Sequence, residues 1–493
     1  MTMNPATIAL SLISHTNAGK TTLARTLLGR DVGDVRDAPH VTTEAASYPL
    51  IESPEGDTLV LWDTPGFADS ARLAKRLAQQ GNPIGWFLSQ VWDRFRDRSF
   101  WLTQLAVRNV RDQADAVLYL VNASEDPGDA GYLKPELAVL EWMRKPVLVL
   151  LNQTGVPRPA AVEAADVTRW RDALRPHEHV RDVLALDAFA RCWVQELALF
   201  DRIGEVLAEE KRPAFARLAA TWQARRWAQF AEAMAVLAAP IAAAACARVV
   251  VPPAPMLNRL GEAIGVKREE GDGAQVRALR TLARQLDDEQ RASADQLLAI
   301  HGLGGRAGAE IAARLASDVV TDAPLDEGKA AAIGGIVSGA ITGLAADLAA
   351  GGLTFGAGML TGALVGALGG AGIARGVNVV RGDIEAAVRW DNAFLDGLVA
   401  SALLRYLAVA HYGRGRGDWK ESEYPSFWRE RVEAAVTAHR ATLTTIWTMR
   451  GPACEPAAME PRLHKELGAI ARALLADLYP DAVAATPRAG DRR

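Results

Sequence analysis

Between a short apolar run, Ile8 to Ile13, and a stretch of helical pattern lies the segment Ser14-His15-Thr16-Asn17-Ala18-Gly19-Lys20-Thr21. It matches G-x-x-x-x-G-K-[ST], with serine in place of the first glycine. The spacing has a chemical reason. Successive backbone N–H groups of such a loop wrap phosphate oxygens, and the helix that follows adds positive potential at its N-terminus. Lys20 then bridges terminal phosphates, Thr21 offers its hydroxyl to Mg²⁺, and Gly19 lets the backbone approach closely. Ser14 is expected to take a turn usually given to glycine, at some backbone strain.

The surrounding chain fits a loop of this kind. Apolar runs at Ile8–Ile13, Leu59–Trp62, Ala116–Val121, Pro146–Leu151 and Val183–Leu186 read as buried parallel strands separated by helical stretches. The alternation predicts an α/β, doubly wound, mostly parallel sheet over residues 1–203. An insert from Arg72 to Gln113, with Trp86, Trp92 and Trp101, reads as amphipathic helices packed on the sheet or the next domain. From residue 204 the strand-like runs fade. Segments 204–250, 274–320 and 384–450 carry helical spacing, Gly265 to Gly273 reads as a charged connector, and 484–493 as a disordered tail. The second domain, 204–483, is therefore expected to be mainly α-helical. A chain of 493 residues is long enough for two or three domains.

Supporting motifs follow in order. Asp63-Thr64-Pro65-Gly66 comes directly after a strand, so Asp63 can hold the Mg²⁺ shell and the Gly66 N–H can contact a γ-phosphate. Between the two motifs, His40-Val41-Thr42-Thr43-Glu44 offers a hydroxyl to the metal from Thr42 or Thr43. Asn152-Gln153-Thr154-Gly155 ends another strand where N-K-x-D would read a guanine base. Asn152 can hydrogen-bond the base, but Gly155 stands where the accepting aspartate belongs, which weakens discrimination. Asp187-Ala188-Phe189 after the last strand is the candidate for a final base-contacting loop.

The expected nucleotide site thus comprises Ser14, Asn17, Ala18, Gly19, Lys20, Thr21, Thr22, Asp63, Gly66, Asn152 and Gln153. Thr21, Thr42, Thr43 and Asp63 are the metal candidates. Lys20, Thr43, Gly66 and Asn17 are the candidates for acting on the reaction itself.

With N-A-G-K-T-T at 17–22, T-T at 42–43 and D-T-P-G-F at 63–67, the chain resembles the Era/MnmE-like branch of translation-factor-related GTPases. The whole layout resembles a bacterial family that joins such a domain to a helical C-terminal domain of unknown function with a Gly/Ala-rich segment. The resemblance implies GTP and Mg²⁺ binding and GTP hydrolysis. Phe67 stands where Ras-like enzymes carry a water-orienting glutamine, so unaided turnover is expected to be slow. Asn17 matches the asparagine that in MnmE-like GTPases helps hold K⁺ when two G domains meet. Two readings of it stand: K⁺ with self-association, or an amide that merely stabilises the loop.

Residues 330–374 carry a single charge, Asp347, and glycines every fourth residue at Gly335, Gly339 and Gly343, then at Gly358, Gly362, Gly366 and Gly370. This is a glycine-zipper pattern. Two arms of about twenty residues span ~30 Å as helices, enough for the hydrocarbon core of a bilayer. The segment reads either as a hairpin at the inner membrane or as one buried in the helical domain. Ala233–Val251, interrupted by Pro240 and Arg248, reads as a buried or interfacial helix.

A net charge of −4 argues against a nucleic-acid-coating surface. Cys192, Cys246 and Cys454 are too few and too scattered to suggest a disulfide or zinc framework, which suits a reducing cytoplasm. The apolar run at the N-terminus lacks a basic flank and reads as a first strand rather than a signal peptide. The reading is a cytoplasmic GTPase switching a helical effector domain, with a ribosome- or RNA-associated GTPase and a low-turnover membrane scaffold as rivals.

Overall fold

The computed structural model describes residues 5–15, 18–29, 46–64, 66–67, 70–79, 100, 104, 107, 110–154, 158–187, 192–251, 270–303, 377–381, 386–412 and 426–480. The chain divides into two compact units. One comprises Met1–Trp227, Ala410–Glu423 and Leu475–Arg493, the other Ala228–Val409 and Tyr424–Leu474.

The first unit is built on six strands: β1 (Thr7–Ser14), β2 (Ala46–Glu52), β3 (Thr58–Asp63), β4 (Ala116–Asn122), β5 (Val147–Asn152) and β6 (Val180–Ala185). Their order is β2-β3-β1-β4-β5-β6. All neighbours are parallel except β2, which runs antiparallel to β3 at the edge. β5 is buried along its whole length and β4 along all but its last residue, which is why their sequences are continuous apolar runs. β2 was not legible as a strand: Tyr48, Pro49 and Glu52 break any alternation, and a bulge follows Pro49.

The helices of this unit are α1 (Lys20–Leu28), α2 (Ser70–Gln79), α3 (Leu133–Met143), α4 (Ala160–Leu174) and α5 (Trp193–Val206). Leu73, Phe100, Val107 and Val110 of the insert are buried in one core with Tyr119 of β4, Val149 of β5 and Leu137 of α3. Trp86, Trp92 and Trp101 lie outside the described residues.

Because the chain leaves β1 toward β3 on one side and later returns to β4 on the other, the sheet changes winding direction at β1. In open α/β sheets ligands bind at the carboxyl ends of the strands beside such a switch point.

The contact boundary falls between Trp227 and Ala228, inside α6 (Arg212–Cys246), and not at residue 203. Side-chain bonding explains this. Glu196 of α5 is buried and accepts hydrogen bonds from Trp222 Nε1 (3.0 Å) and from Arg226 Nε (2.7 Å) and Nη2 (3.0 Å), so the first turns of α6 belong to the first unit.

The second unit is mainly helical, with α7 (Glu270–Ile300), α8 (Asn392–Ala410), α9 (Ser426–Ala438), α10 (Arg440–Trp447) and α11 (Pro456–Leu478). It also holds a small antiparallel sheet that the helical reading of 384–450 did not anticipate. The order is β7 (Val249–Val251), β9 (Ala386–Trp390), β8 (Val377–Arg381). Strands of three to five residues, VVV, VNVVR and AAVRW, are too short to stand out from buried helix.

Cys246 and Cys454 form a disulfide, which corrects the expectation of none. They are 208 residues apart, so only the tertiary fold brings them together, and the compartment inference drawn from cysteine count loses its footing.

Two helices, Arg212–Cys246 and Asn392–Ala410, are long and apolar enough to cross a membrane, yet 56% and 78% of their most apolar windows are buried inside the protein. The glycine-rich segment 330–374, residues 265–269 of the expected connector and the tail 484–493 lie outside the described residues, while the rest of that connector, Glu270 to Gly273, is the start of α7 rather than a loop.

Candidate nucleotide site

β1 delivers the loop and α1 receives it. Gly19 caps α1 at φ 87°, a left-handed backbone that favours glycine, and its carbonyl accepts from Leu23 N–H. Ser14, by contrast, is the last residue of β1, in register with Leu120 of β4, and its backbone is not left-handed. The strain expected there is absent, because Ser14 keeps the extended backbone of the strand.

Lys20 is only 8% exposed, and its Nζ donates to Ser14 Oγ at 3.0 Å. Among the described residues no carboxylate is ion-paired with it. Burial pushes its pKa down, against the pull of Asp63 and Glu136. Thr21 Oγ1 donates to Asp63 Oδ2 at 2.6 Å. Asp63 ends β3 at 2% exposure, and its Oδ1 is buried without a hydrogen-bond partner. Burial pushes its pKa up, while Lys20, the Thr21 hydrogen bond and Arg25 hold it back. A buried ammonium, a hydroxyl and a half-satisfied carboxylate at one strand end are costly unless an anion and a cation complete them. The oxygen pair of Thr21 and Asp63 suits a hard divalent cation.

Past β3, Thr64 Oγ1 donates to Leu12 O (2.6 Å) and Phe67 N–H to Ser14 O (3.0 Å). Gly66 lies between them. Phe67 is fully buried and pairs with His15 as an isolated parallel bridge, so its side chain lines the core rather than any solvent-filled site.

Sequence reasoning passed over His15. Its Nδ1 lies 2.8 Å from Glu136 Oε1, and Glu136 Oε2 accepts from Tyr119 OH at 2.6 Å. The imidazole stacks on Tyr132 at 4.3 Å, and Tyr132 OH donates to Glu125 (2.9 Å). Glu136 is fully buried; burial raises its pKa, opposed by the hydrogen bonds to His15 and Tyr119. No local pattern announces such a network, because its members come from β1, β4 and α3.

On the base side, Asn152 ends β5 fully buried. Its Nδ2 donates to Ala18 O at 2.6 Å, so the amide braces the phosphate loop instead of being directed wholly at a base. Gln153 follows with φ 57°, an uncommon left-handed residue. Thr154 donates from N–H (2.6 Å) and Oγ1 (2.9 Å) to Asp187 Oδ2, which ties the loop after β5 to the loop after β6.

Ser14, Ala18, Gly19, Lys20, Thr21, Asp63 and Asn152 are thus brought together at the carboxyl ends of β1, β3 and β5. Thr22, also buried, sits on α1 and its carbonyl accepts from Thr26 Oγ1, a helix-interior contact. Asn17, Thr42, Thr43, Gly155 and Phe189 lie outside the described residues.

This fold and site define a P-loop GTPase domain. Residues 10–153 match the family described as "50S ribosome-binding GTPase". The chain belongs to the family described as "Domain of unknown function (DUF3482)", which matches residues 176–475, more than half its length. A curated relative, GTPase Era of Heliobacterium modesticaldum, is 25% identical over 144 residues, 29% of this chain and 38% of the relative. The chain therefore spans well under half of that relative's length. Among solved structures, a single-residue variant of Aquifex aeolicus Era bound to GDP·AlF4⁻ is 20% identical, covering 41% of this chain and 58% of its own, at a TM-score of 0.29. Era in complex with MgGDPNP and nucleotides 1506–1542 of 16S ribosomal RNA is 17% identical, covering 42% and 58%, at a TM-score of 0.31.

Proposed function

We propose that the first unit binds Mg²⁺·GTP, turns it over slowly, and reports the nucleotide state to the DUF3482 segment. The observation that carries this reading is the buried Lys20 ammonium beside Asp63 and Thr21, a site completed by a polyphosphate and a divalent cation. Thr21 and Asp63 would hold Mg²⁺, which neutralises charge on the phosphates; Lys20 would hold the terminal phosphates. Thr42 or Thr43 and Gly66 would sense the γ-phosphate. Phe67, buried and apolar, cannot orient water, which supports slow unaided turnover. Asn17 is the candidate for K⁺ coordination when two G domains associate.

In this reading the protein acts on the cytoplasmic side, and residues 330–374 are the candidate for inner-membrane contact. GTP and ATP binding compared in Mg²⁺ with KCl or NaCl tests the proposal, alongside phosphate release at several protein concentrations. GTP preference with K⁺- and concentration-dependent release is expected. Equal binding of both nucleotides, or turnover no higher than in Lys20→Ala, would defeat it. The match to a family described as ribosome-binding favours ribosome association as a second reading, although the net charge of −4 argues against broad nucleic-acid contact. Co-sedimentation with ribosomes decides it.

A further inference from the structure

At the end of the sheet opposite the phosphate loop, three metal-ligating side chains meet: Glu141 in the last turn of α3, and His177 and His179 in the turn that enters β6. One ligand atom from each lies within 4.8 Å of the other two. The two rings sit edge to face with centroids 5.7 Å apart. Their backbone is fixed. His177 N–H donates to Leu174 O (3.0 Å), Val180 N–H to His177 O (2.9 Å), and Val147 N–H of β5 to His179 O (2.9 Å).

His179 is the telling residue. It is 8% exposed, and both ring nitrogens are buried with no hydrogen-bond partner. A neutral imidazole offers one donor and one acceptor, and a native interior seldom leaves both unmet. Neutral imidazole is the ligand form. Glu141 adds a second anomaly. It is an exposed carboxylate in the last turn of α3, at the negative end of the helix, where Arg144 is the C-cap and a cation is favoured.

We infer that Glu141, His177 and His179 form a binding site for a divalent transition-metal cation, with Zn²⁺ as the ion this set suits. Two imidazoles and a carboxylate are a familiar zinc ligand set, and a hard oxygen-seeking ion such as Mg²⁺ has little use for the imidazoles. Ligand atoms of one tetrahedral zinc lie about 3.4 Å apart, so the group closes by up to about 1.4 Å from its 4.8 Å limit, through rotation of the exposed Glu141 and half-buried His177 side chains. The bound ion clamps the end of α3 to the β5–β6 edge. It also joins a residue of the segment matched as GTPase to two residues of the segment matched as DUF3482. The same helix carries Glu136, which holds His15 of the phosphate loop.

The full-length protein, stripped with chelator and titrated with ZnCl2 by calorimetry and elemental analysis, tests this. One equivalent per chain is expected. His177→Ala and His179→Ala should each weaken binding by at least the ~10–100-fold that loss of an outer-shell partner costs, while Glu178→Gln leaves it unchanged. His177 is only half-buried, so its variant keeps the test valid if His179→Ala misfolds. The inference is overturned if wild type takes up no more zinc than the His177→Ala/His179→Ala double variant, or if folded His177→Ala binds zinc as tightly as wild type.

Discussion

Replacing Lys20 by methionine is expected to abolish nucleotide binding and at the same time to stabilise the nucleotide-free protein. The ammonium is 8% exposed and donates to Ser14 Oγ at 3.0 Å. A hydrogen bond to a charged group returns ~1.5–3 kcal/mol, while burying the ion costs several kcal/mol even after relaxation. Asp63 and Glu136 offset part of that cost, but the downward displacement of Lys20 from 10.5 shows that burial outweighs them. Methionine fills a similar volume without charge. The gain should be ~1–3 kcal/mol, in the range seen when buried charges give way to apolar groups. It is reduced somewhat because Asp63 loses a cation that holds its own pKa down.

A unit of the first unit's size, about 260 residues, shifts its midpoint by ~2 °C per kcal/mol. The pH dependence has a definite sign. Between the lowered folded pKa and 10.5 the unfolded chain holds more protons, so wild-type stability rises with pH and the advantage of Lys20→Met shrinks. Thermal melts of both proteins, nucleotide-free and with GTP, make the measurement. GTP at a hundred times its Kd should add ~2.7 kcal/mol to wild type and nothing to the variant. A variant that melts below nucleotide-free wild type, or whose advantage does not shrink with rising pH, would refute the reasoning.

Asn152→Ala strands the buried Ala18 carbonyl and should cost ~1–3 kcal/mol in the first unit, with weaker GTP affinity seen by fluorescent-nucleotide titration. Glu136 has a folded pKa above 4.5, so the folded state holds its proton longer and wild-type stability falls as pH rises from 4.5 through the raised value. Glu136→Gln removes that fall, and its melting point relative to wild type should climb with pH; a constant difference would contradict this. Arg226→Ala leaves Glu196 charged and buried, with Trp222 as a remaining partner, and should lower first-unit stability by ~3–5 kcal/mol in denaturant unfolding.

Much of the nucleotide site was legible because it is local. A glycine that must be left-handed, a lysine and a hydroxyl on the first turn of a helix, and an aspartate at a strand end each follow from backbone chemistry over a few residues. The central parallel strands were legible for a related reason: a strand covered on both faces must be apolar throughout, and β4 and β5 are. β2 was not, because an edge strand with a bulge and a proline has no obligatory pattern.

What the sequence by itself determined is the identity and order of the candidate nucleotide-site residues: Gly19, Lys20, Thr21, then Asp63, then Asn152. Tertiary structure alone decided their environment. It set Lys20 beside Ser14, turned the Asn152 amide onto Ala18, and joined His15 to Glu136 and Tyr119. It also brought Glu141 to His177 and His179, and Cys246 to Cys454. Those pairings depend on which strands neighbour β1 and how helices cover them. Burial and partnership are properties of three-dimensional packing, and residues distant in the chain carry no mark of them until the sheet is assembled.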